Sequence, residues 1–107
     1  MICALFSCRT ERIGISKVVV LDSNFREINM IDQPDLINQL NNMWLGFEAI
    51  DELPNTQWTH KLDIESEKLS GRWLYNKDGF LAKLNKQLKP MYKIEKKEPF
   101  NKILLGF

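Results

Sequence analysis

The spacing of apolar residues changes several times along the chain, and each change predicts an element. From Ile13 to Leu21 the run Ile13, Ile15, Val18, Val19, Val20 and Leu21 is dominated by β-branched side chains, which are stiff at χ1 and suit a pleated surface. Apolar residues on both of its faces predict a central strand. Asp22-Ser23-Asn24 reads as a turn, and Arg26–Ile31 as the return strand, with Ile28 and Met30 on one face. The period then becomes helical. Leu36, Ile37, Leu40, Met43, Trp44 and Phe47 form one stripe, while Asn38, Gln39, Asn41 and Asn42 fill the other side. Asp32 is placed to cap this helix, and Pro34 and Asp35 suit its first turn.

Ala49–Gln57, acidic and broken by Pro54, predicts a loop. Trp58–Glu65 alternates with period 2: Trp58, His60, Leu62 and Ile64 point one way, Thr59, Lys61, Asp63 and Glu65 the other. That is a strand with one wet face, hence an antiparallel sheet. After a turn region at Ser66–Gly71, Arg72–Tyr75 and Phe80–Leu84 form two strands around the turn Asn76-Lys77-Asp78-Gly79. Pro90–Ile94 is the last strand expected. Pro99, Phe100, Ile103, Leu104 and Phe107 predict a short closing helix docked on the sheet. The expectation is an α+β domain: an antiparallel sheet of five or six strands, one main amphipathic helix and a short C-terminal helix, in the order β-β-α-β-β-β(-β)-α.

Composition narrows the function classes. The chain has 107 residues, 44% hydrophobic and 27% charged, with a net charge of +1. That fits one ordered domain and argues against both disorder and a dedicated nucleic-acid binder. Two cysteines cannot build a disulfide-dense scaffold, and no apolar run approaches the ~18 residues of a membrane span. The charge is unevenly spread. Asp22–Glu67 holds ten acids against two bases, a net of −8, and Lys83–Lys102 holds seven lysines against two acids, a net of +5. Either the two segments pack together and cancel, or the lysines form a basic surface for an anionic partner. No arginine lies in the basic segment, so bidentate phosphate recognition is not indicated.

Candidate chemistry is sparse. His60 is the sole histidine and sits on the apolar face of its strand, where a hydrogen-bonded core histidine is the ordinary reading. Asp63 points to the opposite face, so the two do not form a direct acid–base pair on a regular strand. No nucleophile motif, phosphate cradle or metal-ligand spacing occurs, so no catalytic residue, metal or cofactor is expected. The acid pairs Asp51/Glu52 and Glu65/Glu67 have the residue types for acid–base work, but carboxylates that stand in water and keep the chain soluble are the commoner reading. The aromatics Trp58, Trp73, Tyr75, Phe80 and Tyr92 recur on successive strands. They pack under a helix if they face inward, or form a platform for a sugar, a base or a protein if they face outward. Trp73, Tyr75 and Tyr92, with Lys86, Lys89 and Lys93, make the candidate binding surface.

The N-terminus carries the sole localising signal. Leu5-Phe6-Ser7-Cys8 resembles the lipobox of bacterial lipoproteins, with Leu three before the cysteine and a small residue next to it. Phe6 is bulkier than the usual residue, and seven residues without a basic charge precede Cys8. The stretches Gly71–Phe80, Met91–Ile94 and Phe100-Asn101 are similar to small uncharacterised bacterial lipoproteins. The resemblance implies lipidation at Cys8, a periplasmic location and outer-membrane sorting, with Arg9 after the cysteine. It implies no reaction. Residues 1–12 are then a signal remnant or tether, or an ordinary hydrophobic N-terminus, and residues 13–107 the domain. The first functional expectation is a non-enzymatic envelope lipoprotein domain that binds a protein or another envelope component. The alternative is a cytosolic binding or accessory module acting through Glu48–Glu52 or the lysine-rich end. A hydrolase-type enzyme using His60 stands third.

Overall fold

The computed structural model describes residues 13–52 and 57–106. Within them the chain runs β1 (Lys17–Leu21), β2 (Glu27–Ile31), α1 (Pro34–Trp44), β3 (Glu48–Ala49), β4 (His60–Glu65), β5 (Gly71–Asn76), β6 (Phe80–Lys83), β7 (Met91–Lys93) and α2 (Lys97–Leu105). The strands form one antiparallel sheet of seven in the order β2-β1-β4-β5-β6-β7-β3. The α+β class and the antiparallel sheet stand as expected. The additional strand is β3, two residues within a stretch read as helix end and loop. Two residues show no periodicity, and β3 exists through its pairing with β7.

Alternation decides the core. Val18, Val20, Leu62, Ile64, Trp73, Tyr75 and Leu81 lie on one face of the sheet and are buried with Ile37, Leu40 and Trp44 of α1 and Phe100 and Leu104 of α2. The rings interlock edge to face: Trp44 lies 5.2 Å from Trp73, Phe47 5.2 Å from Phe100, and Tyr75 5.4 Å from Phe100. Such pairs add to the area they bury. Trp73 Nε1 donates to the carbonyl of Leu69 at 2.9 Å. Trp44 Nε1 is buried with no hydrogen-bond partner among the described residues.

Helix α1 starts without the expected cap. Gln33, not Asp32, is the N-cap residue, and no side chain bonds there; Pro34 in the first turn spares one orphan donor. The stripe read from sequence buries Ile37, Leu40 and Trp44. Helix α2 ends on Gly106 in the left-handed conformation, φ 84°, whose N–H closes on the Lys102 carbonyl. Its buried Asn101 accepts a hydrogen bond from the Tyr75 hydroxyl and donates to the Lys77 carbonyl at 2.9 Å. The β5–β6 turn needs its glycine: Gly79 has φ 108°, and a Cβ there would lie 2.5 Å from the Ile94 carbonyl oxygen.

The segment entering β1 is stitched in place. Asn41 of α1 accepts the Ile15 N–H at 2.9 Å and donates to the Ile15 carbonyl at 3.1 Å. The Ser66 hydroxyl donates to the Ile13 carbonyl at 2.6 Å. Cys8 and the expected signal remnant lie outside the described residues, as do Pro54 and Phe107.

Candidate functional site

The structure divides the six residues of the candidate binding surface between buried and exposed positions. Trp73 and Tyr75 are 0% exposed, and Tyr92 packs on Trp44 and Trp73 at 5.8 and 6.1 Å. All three belong to the helix-covered layer, because their strand positions share parity with the core residues: Tyr75 opposes Leu81, and Leu81 opposes Tyr92. Burial pushes the Tyr75 hydroxyl well above its ordinary range, with Asp78 adding to the effect. Lys86, Lys89 and Lys93 are exposed, but Lys93 follows Tyr92 and so lies on the other face of β7. The acidic and basic segments meet here. Lys93 opposes Glu48 across β7 and β3, and Lys89 lies 3.7 Å from Asp51.

His60 is half-buried. Its Nδ1 lies 2.9 Å from the Thr59 hydroxyl. Desolvation, then the charge of Lys77, hold its pKa below 6.5, with Asp22 opposing weakly. Asp63 lies on the opposite face, taken up by Arg72. Two clefts of about 550 Å³ exist, one where the end of α1 meets the start of α2 and one along the asparagine side of α1. His60 lines neither. No group of three potential metal ligands occurs among the described residues, and none of their helices is long and apolar enough to cross a membrane.

The feature that stands out lies on the face the helices leave open. The β1–β2 turn is built around Asp22. Its backbone N–H meets the Arg26 carbonyl at 2.9 Å, and its carboxylate accepts the N–H groups of Asn24 at 2.8 Å and Arg26 at 3.0 Å. The bond from Arg26 above all, helped by that from Asn24, holds the Asp22 carboxyl below its usual range against the opposing effect of desolvation. The turn closes with Phe25 at φ 64°, a left-handed position that costs an L-residue with a Cβ roughly 1–2 kcal/mol and that glycine or asparagine normally fills.

That strain is not repaid by burial, since Phe25 is 56% exposed. Its ring rests against two cations instead, Lys61 Nζ at 4.2 Å from the centroid and Arg72 Cζ at 5.4 Å. Arg72 is itself fixed by a two-pronged pair with Asp63, Nε to Oδ1 at 2.6 Å and Nη2 to Oδ2 at 2.8 Å. The bond to Arg72 keeps the Asp63 carboxyl below its ordinary value despite partial desolvation. Beside this cluster, Ile28 at 49% and Met30 at 37% exposure extend an apolar strip along β2. The alternation of Ile28 and Met30 was visible in the sequence. The place of Phe25 was not, because nothing in Asp22–Arg26 marks the residue that takes the left-handed position.

Comparison with known protein families, characterised proteins and solved structures returns no match. The strip of Phe25, Ile28 and Met30 therefore carries the functional argument on its geometry alone.

Proposed function

We propose that this chain is a non-enzymatic binding domain that docks a protein partner on the helix-free face of its sheet, through Phe25, Ile28 and Met30. The observation that carries the reading is Phe25. An aromatic ring is held outward over Lys61 and Arg72 by a strained backbone, without burial in return. Strain kept in an exposed aromatic is better matched to binding than to stability. The arginine–carboxylate pair beside it supplies a fixed polar rim. We further infer a tether to the bacterial envelope membrane through lipid on Cys8, supported by the likeness of Leu5-Phe6-Ser7-Cys8 to a lipobox.

Photo-crosslinking in cells tests the docking surface. A photoreactive side chain at Ile28 is expected to give a discrete adduct with one partner. The adduct should disappear with Phe25→Asn, which keeps the left-handed turn and removes the ring. Adducts absent at both Ile28 and Met30, or matched by those from a probe at Asn38 on α1, overturn the reading. Fatty-acid labelling of the chain, lost with Cys8→Ser, tests the tether; a chain that takes up no label refutes it.

A further inference from the structure

Strand β2 is an edge of the sheet: it pairs with β1 on one side, and no strand pairs with its other side among the described residues. An open edge is a template for another strand, above all for a second copy of the same chain. The apolar residues at this edge add to that hazard. An antiparallel copy related by a two-fold axis through Asn29 would set Ile28 of one chain beside Met30 of the other.

Two backbone donors at the C-terminal end of that edge are already occupied, one in β2 and one just past it. Alternate residues of a strand direct their N–H groups to the same side. The Met30 N–H donates to Asn29 Oδ1 at 2.9 Å, and the Asp32 N–H to Gln33 Oε1 at 3.2 Å. Each is a side-chain acceptor one residue away that competes with any incoming carbonyl. The Asn29 amide is fixed at its other end, where Nδ2 donates to the Leu104 carbonyl at 3.0 Å and to the Ile103 carbonyl at 3.4 Å at the end of α2. A register shift opposite Val20 and Leu21 also breaks the regular ladder toward the hairpin.

We propose that Asn29 and Gln33 are edge guards: their side-chain amides close the β2 edge to a second copy of this chain, leaving the apolar strip available through its side chains alone. The inference stands apart from the docking reading, because its test involves no partner. It also gives Asn29 two duties, since one amide both blocks the edge and anchors α2.

Light scattering of the full chain across a concentration series tests it. The wild-type chain is expected to be monomeric. Asn29→Ala with Gln33→Ala is expected to dimerise at least tenfold more tightly. Adding Ile28→Lys and Met30→Lys should return the double variant to monomer. A double variant that is folded by circular dichroism yet monomeric throughout overturns the proposal. So does a wild-type chain already dimeric through β2, or a dimer the two lysines leave intact, which points to release of α2 instead. If the double variant does not fold, Gln33→Ala alone decides by hydrogen exchange: the Asp32 amide should exchange several-fold faster, and an unchanged rate refutes the guard.

Discussion

The two faces of the sheet are made by the same strands, and they differ in nearly everything else. On the helix-covered face, Trp73, Tyr75 and Leu81 are fully buried and their polar atoms are tied to Leu69 and Asn101. On the helix-free face, Lys61, Asp63 and Arg72 stand beside the buried Leu21, Leu74, Ala82 and Met91, and the exposed apolar side chains Phe25, Ile28 and Met30 lie toward the edge. The contrast separates two uses of hydrophobic surface. Where a helix covers it, apolar area is removed from water and stabilises the fold. Where apolar side chains stay exposed, as Phe25, Ile28 and Met30 do, the same chemistry yields little stability and is available for contact.

The largest test of that division compares one residue from each face. Trp73→Ala should cost about 3–5 kcal/mol in urea unfolding, because it empties a fully packed site. Ile28→Ala should cost about 0.5 kcal/mol or less, as surface changes usually do. Comparable losses at the two positions would abolish the distinction. The next test concerns Phe25. Phe25→Gly relieves a backbone strain of roughly 1–2 kcal/mol and gives up cation–π contacts worth about 0.5–1 kcal/mol at an exposed site. Stability should therefore hold or rise slightly in the same assay. A loss beyond about 1 kcal/mol, the upper value for a cation–π contact at an exposed site, would make the ring a structural element.

The smallest effects are in pH dependence, and the two faces titrate in different windows. His60, on the covered side, is held below 6.5 chiefly by burial. Its neutral form is favoured in the fold, so that contribution is full above pH 6.5 and is lost as pH falls toward the lowered folded value. Asp63, on the open side, is held below 3.8 by Arg72. Its contribution is present above pH 3.8 and is lost as pH falls through the folded value. Neither residue is fully buried, so each contribution should stay within about 1 kcal/mol. In thermal melts across pH, His60→Gln should flatten the upper window alone and Asp63→Asn the lower one alone. A variant that alters the opposite window would show that the two faces are coupled.

Much of the fold was legible because its periods are long. The stripe from Leu36 to Trp44 and the alternation from Trp58 to Glu65 each state both the element and the buried side. The β3 strand was not legible, since Glu48 and Ala49 are strand only by virtue of β7. The helix cap moved from Asp32 to Gln33 because neither side chain bonds the helix start, so the preference of aspartate for that place had nothing to act through. Trp73, Tyr75, Phe80 and Tyr92 fall on strands as read, while Trp58 precedes its strand; the side of the short aromatic strands was open, because alternation separates two faces without naming the one a helix will cover. The candidate site was the least legible part. Phe25 matters through its φ angle and the two cations brought beside it from β4 and β5, and Asn29 through an amide that reaches α2 from 74 residues away in sequence.

The stitching of Ile13 and Ile15 to Ser66 and Asn41 also sets a direction. It fixes the incoming chain at one end of β1, and the Asp22 turn lies at the other, five residues or about 17 Å away. The Phe25 hairpin and the entry of the chain at Ile13 are therefore at opposite ends of β1, so the turn can be altered without touching the bonds that hold the entering segment.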